Sequence, residues 1–405
     1  MAELKFPDGF LWGASTAAYQ VEGGIENVDW AQAAREGKVP SAGQACDFYH
    51  RFESDFDVAV DLGMNAQRFS IEWARIEPEE GTFDEREVEH YRTVFAALKA
   101  RRLTPMPNLW HFTLPLWFSK RGGFLHKDAP EVFARYCRFV IERLGNEAGL
   151  WLTHNEPMVY SGKGYWEGVW PPFFKSPLKH IRVISAVAAA HRAAYTAMKA
   201  ARPQIQVGIA KHNIFFESNA NPFNIVVYVF VDWFWNHRFL RLIAGYQDFI
   251  GLNHYHHRKF GITKHEQESA LRSDMGWELH PMSLYRCLIA LKRYNLPLYV
   301  SEHGLADAAD IHRPEFIQNA ARALHRAIGE GAPVKGYFHW SLLDNYEWTE
   351  GFTKRFGLVE VDYATQERRI RKSAYVYKQL CERNALLDPA VNVGDSLFSD
   401  TTRSS

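Results

Sequence analysis

Two glutamates end apolar runs of the same shape. In LWLTHNEP, residues 150–157, Leu150-Trp151-Leu152 leads into Thr153-His154-Asn155-Glu156-Pro157. In LPLYVSEHG, residues 296–304, Tyr299-Val300-Ser301 leads into Glu302-His303-Gly304. Pro157 cannot donate to a sheet ladder, so the first run ends there as a strand. Each carboxylate then stands at the C-terminal end of a strand. Two carboxylates facing one pocket suit glycoside hydrolysis. One protonates the leaving oxygen, and the other attacks the anomeric carbon or activates water. The competing reading is that each glutamate merely pairs with a nearby arginine. The residues placed around the two decide between these readings.

The elements that must position them follow from the pattern of apolar runs. Candidate strands are Leu11 to Ser15, Ala66 to Phe69, Thr104 to Leu109, Leu150 to Thr153, Gln206 to Ala210, Phe249 to Leu252, Leu298 to Ser301 and Val334 to Trp340. Helical spacing recurs between them, as in Val88 to Arg101 and Ile181 to Ala201, with Pro203 closing the latter. Eight strands alternating with helices predict an α/β fold, a single (β/α)8 barrel with its site at the C-terminal face of the strands. Chemistry-bearing residues do cluster just after strands. Gln20 follows the first, Arg68 ends the second, and His111 follows the third. Asn155 and Glu156 end the fourth. Asn253 and Tyr255 follow the sixth, Glu302 the seventh, and Trp340, Glu347 and Trp348 the eighth. We expect residues 1–387 to form the barrel and 388–405 a polar, turn-rich tail.

Composition narrows the classes. Lys plus Arg and Asp plus Glu both number 47, so the formal charge is zero, and no basic run suits a nucleic acid. Aromatics make up 15% of the chain, with 13 Trp. That fits either a heavy core or flat platforms for the apolar faces of sugar rings. Cys46, Cys137, Cys287 and Cys381 stand far apart, so neither a disulfide framework nor a zinc knuckle is expected. MAELKFPDGF has no apolar signal core. The run IVVYVFVDWFW, residues 225–235, is too short to span a bilayer and contains Asp232. It reads as a buried helix, with an oligomer contact as the alternative. The expectation is a cytoplasmic protein without a membrane partner. His254, His256 and His257 sit too tightly on one strand to converge, because neighbours point to opposite faces, and no metal site is expected there.

Taken in order, seven motifs resemble glycoside hydrolase family 1, the β-glucosidase family. They are FLWGASTAAYQVEG at 10–23, RFSIEWARIEP at 68–78, HFTLPLW at 111–117, THNEP at 153–157, DFIGLNHY at 248–255, SEHG at 301–304 and WSLLDNYEWTEGFTKRFGLVEVD at 340–362. The resemblance covers nearly the whole folded chain. It implies a retaining β-glycosidase acting on a small-molecule β-glycoside through a covalent glycosyl-enzyme, with Glu156 as acid/base and Glu302 as nucleophile. Arg68 and Tyr255 match the groups beside the nucleophile. Gln20, His111, Asn155, Asn253, Trp340, Glu347, Trp348 and Phe356 match the sugar-binding set, with Asn155 reaching the 2-hydroxyl. No cofactor is implied. Glu302 must be ionised to attack, which an adjacent cation favours, while its charge raises the pKa of Glu156 until the glycosyl ester forms.

The chain departs from the family at His154, His254 and His303, which raises the expectation that residues titrating near neutrality influence the site. The segment between Lys211 and Asp248 looks shortened. That implies a more open aglycone side or a gap filled by the 225–235 run. Two other functions compete. In a 6-phospho-β-glycosidase a small polar residue replaces the glutamate matching Glu347, leaving room for the phosphate. Lys354 matches a phosphate-binding lysine of that branch, but Phe356 stands where that branch uses tyrosine. A non-catalytic sugar-binding relative loses a carboxylate, and both are present here. Thioglycosidase relatives lose the acid/base, which this chain keeps. Transglycosylation is a variant of the first reading.

Overall fold

A computed structural model describes residues 2–218, 221–260 and 271–388. Eight parallel strands close into a barrel. They are β1 (Leu11–Ser15), β2 (Ala66–Ser70), β3 (Thr104–Asn108), β4 (Leu150–Asn155), β5 (Gln206–His212), β6 (Phe249–His254), β7 (Leu298–His303) and β8 (Val334–Trp340). β8 pairs back onto β1 to close the ring. All eight expected runs are strands, and several extend a residue or more further. Thus Glu302 lies inside β7 and Asn155 inside β4. The expected helices are Glu85–Ala100 and Pro177–Ala201. Pro105 and Pro107 sit in β3 and cannot donate; its registered pairing to β4 is Asn108 with Leu152. The short strands Ala2–Lys5 and Ala385–Asp388 pair outside the barrel. The expected tail lies, beyond Asp388, outside the described residues.

One core cluster contains a residue from most barrel strands: Ala66, Met106, Leu152, Ala210, Phe249, Tyr299 and Phe338. A far larger cluster packs strands against helices. Strand alternation puts Arg68 on the same side as Ala66, Asn108 on that of Met106, and Trp340 on that of Phe338. The barrel thus carries polar and aromatic side chains above an apolar plug.

Two strands break this alternation where it matters. The register of β4 against β5 shifts between Leu152 and Asn155. Strict alternation from Leu152 would turn His154 inward. Instead His154 packs its ring against Phe133 at 4.4 Å and Trp110 at 5.3 Å, and Asn155 turns inward. In β7 the register against β6 shifts between Val300 and Glu302. His303 stacks on Phe316 at 4.5 Å, and Glu302 faces the cavity. Such irregularities re-aim side chains beside active sites.

The expectation of a buried helix at 225–235 is overturned. The helix spans Pro222–Asp232, and Phe223 and Val226 are each 68% exposed and Phe230 60%. The run is apolar all round, but the barrel core is complete without it. Val231 and Trp235 join the wall of the cleft, and Phe234 and Trp235 pack against the core. Among the described residues no helix is long and apolar enough to cross a membrane. The four cysteines are free and buried.

Candidate active site

At the C-terminal end of the barrel lies a cavity of about 420 Å³. Gln20, His111, Asn155, Glu156, Tyr255, Glu302, Trp340, Glu347, Trp348 and Phe356 all line it. Arg68 and Asn253 do not; they lie beneath and hold the groups that do.

Glu156 is placed by its backbone. It has φ 44° and ψ 60°, a left-handed conformation uncommon for a residue with a side chain. Its amide donates to Ala210 O at 2.8 Å, and its carbonyl accepts from Val159 and Tyr160. Pro157 then starts the next helix at the position where its missing N–H costs nothing. The joint points the Glu156 carboxylate into the cavity, 7% exposed.

Glu302 is gripped on both oxygens. Arg68 Nη1 donates to Oε1, and the Tyr255 hydroxyl donates to Oε2 at 2.6 Å. Arg68 Nη2 also donates to Asn155 Oδ1 at 2.8 Å. Asn253 links the two carboxylate strands: its Nδ2 holds the end of β4, donating to Asn155 Oδ1 at 3.0 Å and Glu156 Oε1 at 2.9 Å. Its own Oδ1 accepts from Ser301 Oγ at 2.6 Å. Asn253, expected to touch sugar, is therefore a positioning residue. Because Asn155 Oδ1 is committed as an acceptor, Asn155 Nδ2 donates to His111 Nε2 at 3.1 Å, which leaves the proton of this ring on Nδ1.

The electrostatics separate the two carboxylates. Burial, reinforced by the charge of Glu302, pushes the Glu156 carboxyl up to about 8. Glu156 is thus held protonated at neutral pH, the state a general acid needs. Burial and the same charge push Glu347 up to about 8. Glu347 is then both donor and acceptor near neutrality and presents no fixed negative charge to a ligand. Lys211, wholly buried, is pushed down to about 7 by desolvation while Glu156 pulls the other way.

Among the described residues, five buried polar atoms of cavity residues have no partner: Gln20 Oε1, His111 Nδ1 and Glu347 Oε2, and both ring nitrogens of His256 in the outer wall. Buried polar groups are almost always hydrogen-bonded, so this set calls for a polyhydroxylated ligand. The loop carrying Glu347 and Trp348 is anchored by Asp344. Its carboxylate accepts two bonds of 2.9 Å from Arg371 and one of 3.1 Å from Arg355. The rings of Trp340 and Trp348 lie near-parallel to that of His111, at interplanar angles of 18° and 12°.

The histidine expectation fails. His154, His254 and His303 do not line the cavity. Burial keeps His154 and His303 well below neutrality and His254 down to about 4, so none titrates there. His254 is spent on Asn213 O and Ser283 Oγ. Sequence reasoning missed much of the outer wall, Phe112, Trp170, His212 and Trp277, beside which stand His256 and, from the 225–235 run, Trp235. The abundance of Trp was the signal, but composition does not say which indoles face a cleft. Among the described residues one cluster has the side chains to hold a metal, Glu217, His257 and His280, and it lies outside the cavity.

Comparison with known proteins agrees with this arrangement. The family model described as Glycosyl hydrolase family 1 matches residues 2–224 and 235–386, leaving out most of the exposed apolar run. The chain is 32% identical to β-glucosidase A of Thermotoga maritima, with 95% of this chain and 99% of that protein covered. It is 31% identical to a β-galactosidase of Saccharolobus solfataricus, covering 95% and 96%. Among solved structures, a β-glycosidase from Pyrococcus horikoshii is 36% identical with a TM-score of 0.89, covering 97% and 98%. The β-glucosidase from Thermotoga maritima in complex with glucoimidazole is 30% identical with a TM-score of 0.90, covering 94% and 99%. A closed eight-stranded barrel with two carboxylates at its C-terminal rim is the architecture of a glycoside hydrolase. This chain belongs to glycosyl hydrolase family 1 and is a β-glycosidase.

Proposed function

We propose that residues 1–387 form one catalytic unit that hydrolyses terminal, non-reducing β-D-glycosides with retention of configuration. Glucosides are the first candidates, with galactosides and fucosides beside them. Glu302 attacks the anomeric carbon while Glu156 gives its proton to the departing oxygen. A glycosyl ester then occupies Glu302 and removes its charge. The pKa of Glu156 falls, and as a carboxylate it takes a proton from the water that cleaves the ester. Arg68 and Tyr255 keep Glu302 aimed. Asn155 reaches the 2-hydroxyl, where bonding strengthens in the transition state. Gln20, His111 and Glu347 take other hydroxyls, Trp340 and Trp348 offer flat faces, and Phe356 closes the wall. The single observation that carries this reading is the pairing of a clamped Glu302 with a Glu156 held protonated, in a cavity where polar atoms of Gln20, His111 and Glu347 are unpartnered among the described residues. Transfer of the glycosyl group to a sugar or alcohol in place of water is the same chemistry with another acceptor.

A plain glycone is favoured over a 6-phosphorylated one because Lys354 does not line the cavity. Its ammonium donates to Asp274 O at 2.8 Å instead. Turnover of nitrophenyl β-glucoside, β-galactoside, β-fucoside, β-mannoside and 6-phospho-β-glucoside by the wild type tests this. One or two plain glycosides are expected to be cleaved fast; cleavage of the phosphorylated substrate alone would reverse the assignment. The exposed face of the Pro222–Asp232 helix favours self-association, and the enzyme is proposed to work in the cytoplasm.

A further inference from the structure

A cluster of ligating side chains sits behind the aglycone wall, where three segments meet. The strands Phe215–Ser218 and His257–Phe260 pair as a parallel ribbon, with Phe215 opposite His257 and Glu217 opposite Lys259. The third segment, residues 271–282, leads into the helix Ser283–Leu291. Glu217, His257 and His280 bring one carboxylate oxygen and two ring nitrogens within 4.8 Å of one another. His257 Nε2 lies 3.8 Å from Glu217 Oε2 and 3.8 Å from Glu278 Oε2, and His280 Nε2 lies 3.9 Å from Glu217 Oε1. Each separation is longer than a hydrogen bond.

The second observation is the state of the rings. The His257 side chain is 1% exposed, yet neither of its nitrogens has a hydrogen-bond partner among the described residues. His280 Nδ1 is unpartnered as well. Stranding buried nitrogens beside two carboxylates is costly unless a cation joins them. We propose that Glu217, His257 and His280, with Glu278 as a fourth ligand, form a site for one divalent transition-metal ion of the zinc type.

The donor set fits that ion. Two imidazoles with carboxylates select zinc and its neighbours over magnesium or calcium. Tetrahedral zinc holds its ligands at about 2.1 Å, which puts donors about 3.4 Å apart. The nitrogen–oxygen separations around His257 and His280 therefore close by about half an ångström, and the widest separation in the set, within 4.8 Å, by at most about 1.4 Å, which side-chain rotation supplies. Burial pushes His257 down to about 4 and lowers His280, so both are neutral, the ligating form. Lys259 Nζ, 3.7 Å from Glu217 Oε2, is the competing cation, and its half-exposed side chain is free to turn to solvent. Arg272 is engaged with Gly276 O at 2.9 Å. The consequence falls on Trp277, next to Glu278. Trp277 lines the active-site cavity and also a second cavity of about 110 Å³. Its ring packs against Tyr255, His256 and Phe356, and a metal clamp between this segment and the ribbon would fix the backbone that carries it.

The test uses the untagged full-length chain, dialysed against chelator and titrated with Zn²⁺ by calorimetry and thermal melting. Co²⁺ in place of Zn²⁺ reports the ligand geometry by its visible absorption. The expected result is one ion per chain, a Tm that rises with the logarithm of free Zn²⁺, and a tetrahedral Co²⁺ spectrum. Glu217→Gln and His280→Gln should each weaken binding by more than about tenfold, the least that a tuned metal site loses with a partner. Both variants change partly exposed side chains, so the metal-free Tm should match that of the wild type. Absence of binding to the wild type, or equal binding by the wild type and both variants, would overturn the site.

Discussion

At the scale of single residues, the proposed mechanism turns on one proton. Glu156 is neutral below about pH 8 because it is buried next to the charge of Glu302. A general acid works only while protonated, so kcat/KM should fall as pH rises through about 8, as read from a pH profile. In Glu156→Gln that alkaline limb should vanish. Substrates with good leaving groups should keep their first step, because they need no proton. Lys211 lies near the same group, but with its own pKa pushed down to about 7 it carries little charge where that limb falls, so Lys211→Met should leave the alkaline limb in place; a limb that moves well upward would show that Lys211 stays charged there. These placements were partly legible in the sequence. Glu156 and Glu302 announce themselves by ending like runs, Arg68 by standing near the end of a strand and Tyr255 by following one. Asn253 was legible as a site residue but not as the bridge beneath it. Lys211 was not legible at all, since one lysine inside a strand carries no sign that its burial is complete.

At the scale of elements, the eight strands could be read because buried parallel strands are short apolar runs set between helical patterns. Their irregularities could not. A register shift is a relation between two strands, and the residues that undergo it look ordinary. That is why His154 and His303 read as titrating neighbours of the site when both are turned onto the helices. Gly304 shows how tightly the top of β7 is fitted. A Cβ there would lie 1.8 Å from Trp340 O, so the backbones of β7 and β8 would have to part. Gly304→Ala should lower stability by about 3 kcal/mol, at the upper end for overpacking. It should also cut kcat/KM by about a hundredfold, since displacements near 1 Å in a site cost that much. Denaturant melts and steady-state kinetics on one preparation check both; an unchanged enzyme would contradict the fit.

At the scale of the whole molecule, the barrel supplies a rigid floor and the later loops supply the walls. The sequence showed the floor well, because most motifs of the resemblance sit on a barrel strand or just after one. It showed the 225–235 run badly. An apolar run declares that it prefers burial, but not whether the rest of the fold leaves room for it. Phe223, Val226 and Phe230 are left in solvent as one exposed apolar face. Sedimentation velocity should therefore give a species heavier than the 46.7 kDa monomer. Val226→Glu should return it to monomer without loss of activity. A wild type that stays monomeric at high concentration would contradict this.

The central claim assigns the two carboxylates to different faces of the sugar. Azide is a small nucleophile that can stand in for a missing carboxylate. Glu302→Ala should lose on the order of 10⁴-fold or more in kcat, the scale of loss when a covalent nucleophile is deleted. Adding azide should restore cleavage of an activated β-glycoside and yield the α-glycosyl azide. The β-glycosyl azide from Glu302→Ala, or near-normal activity of that variant without azide, would contradict the account.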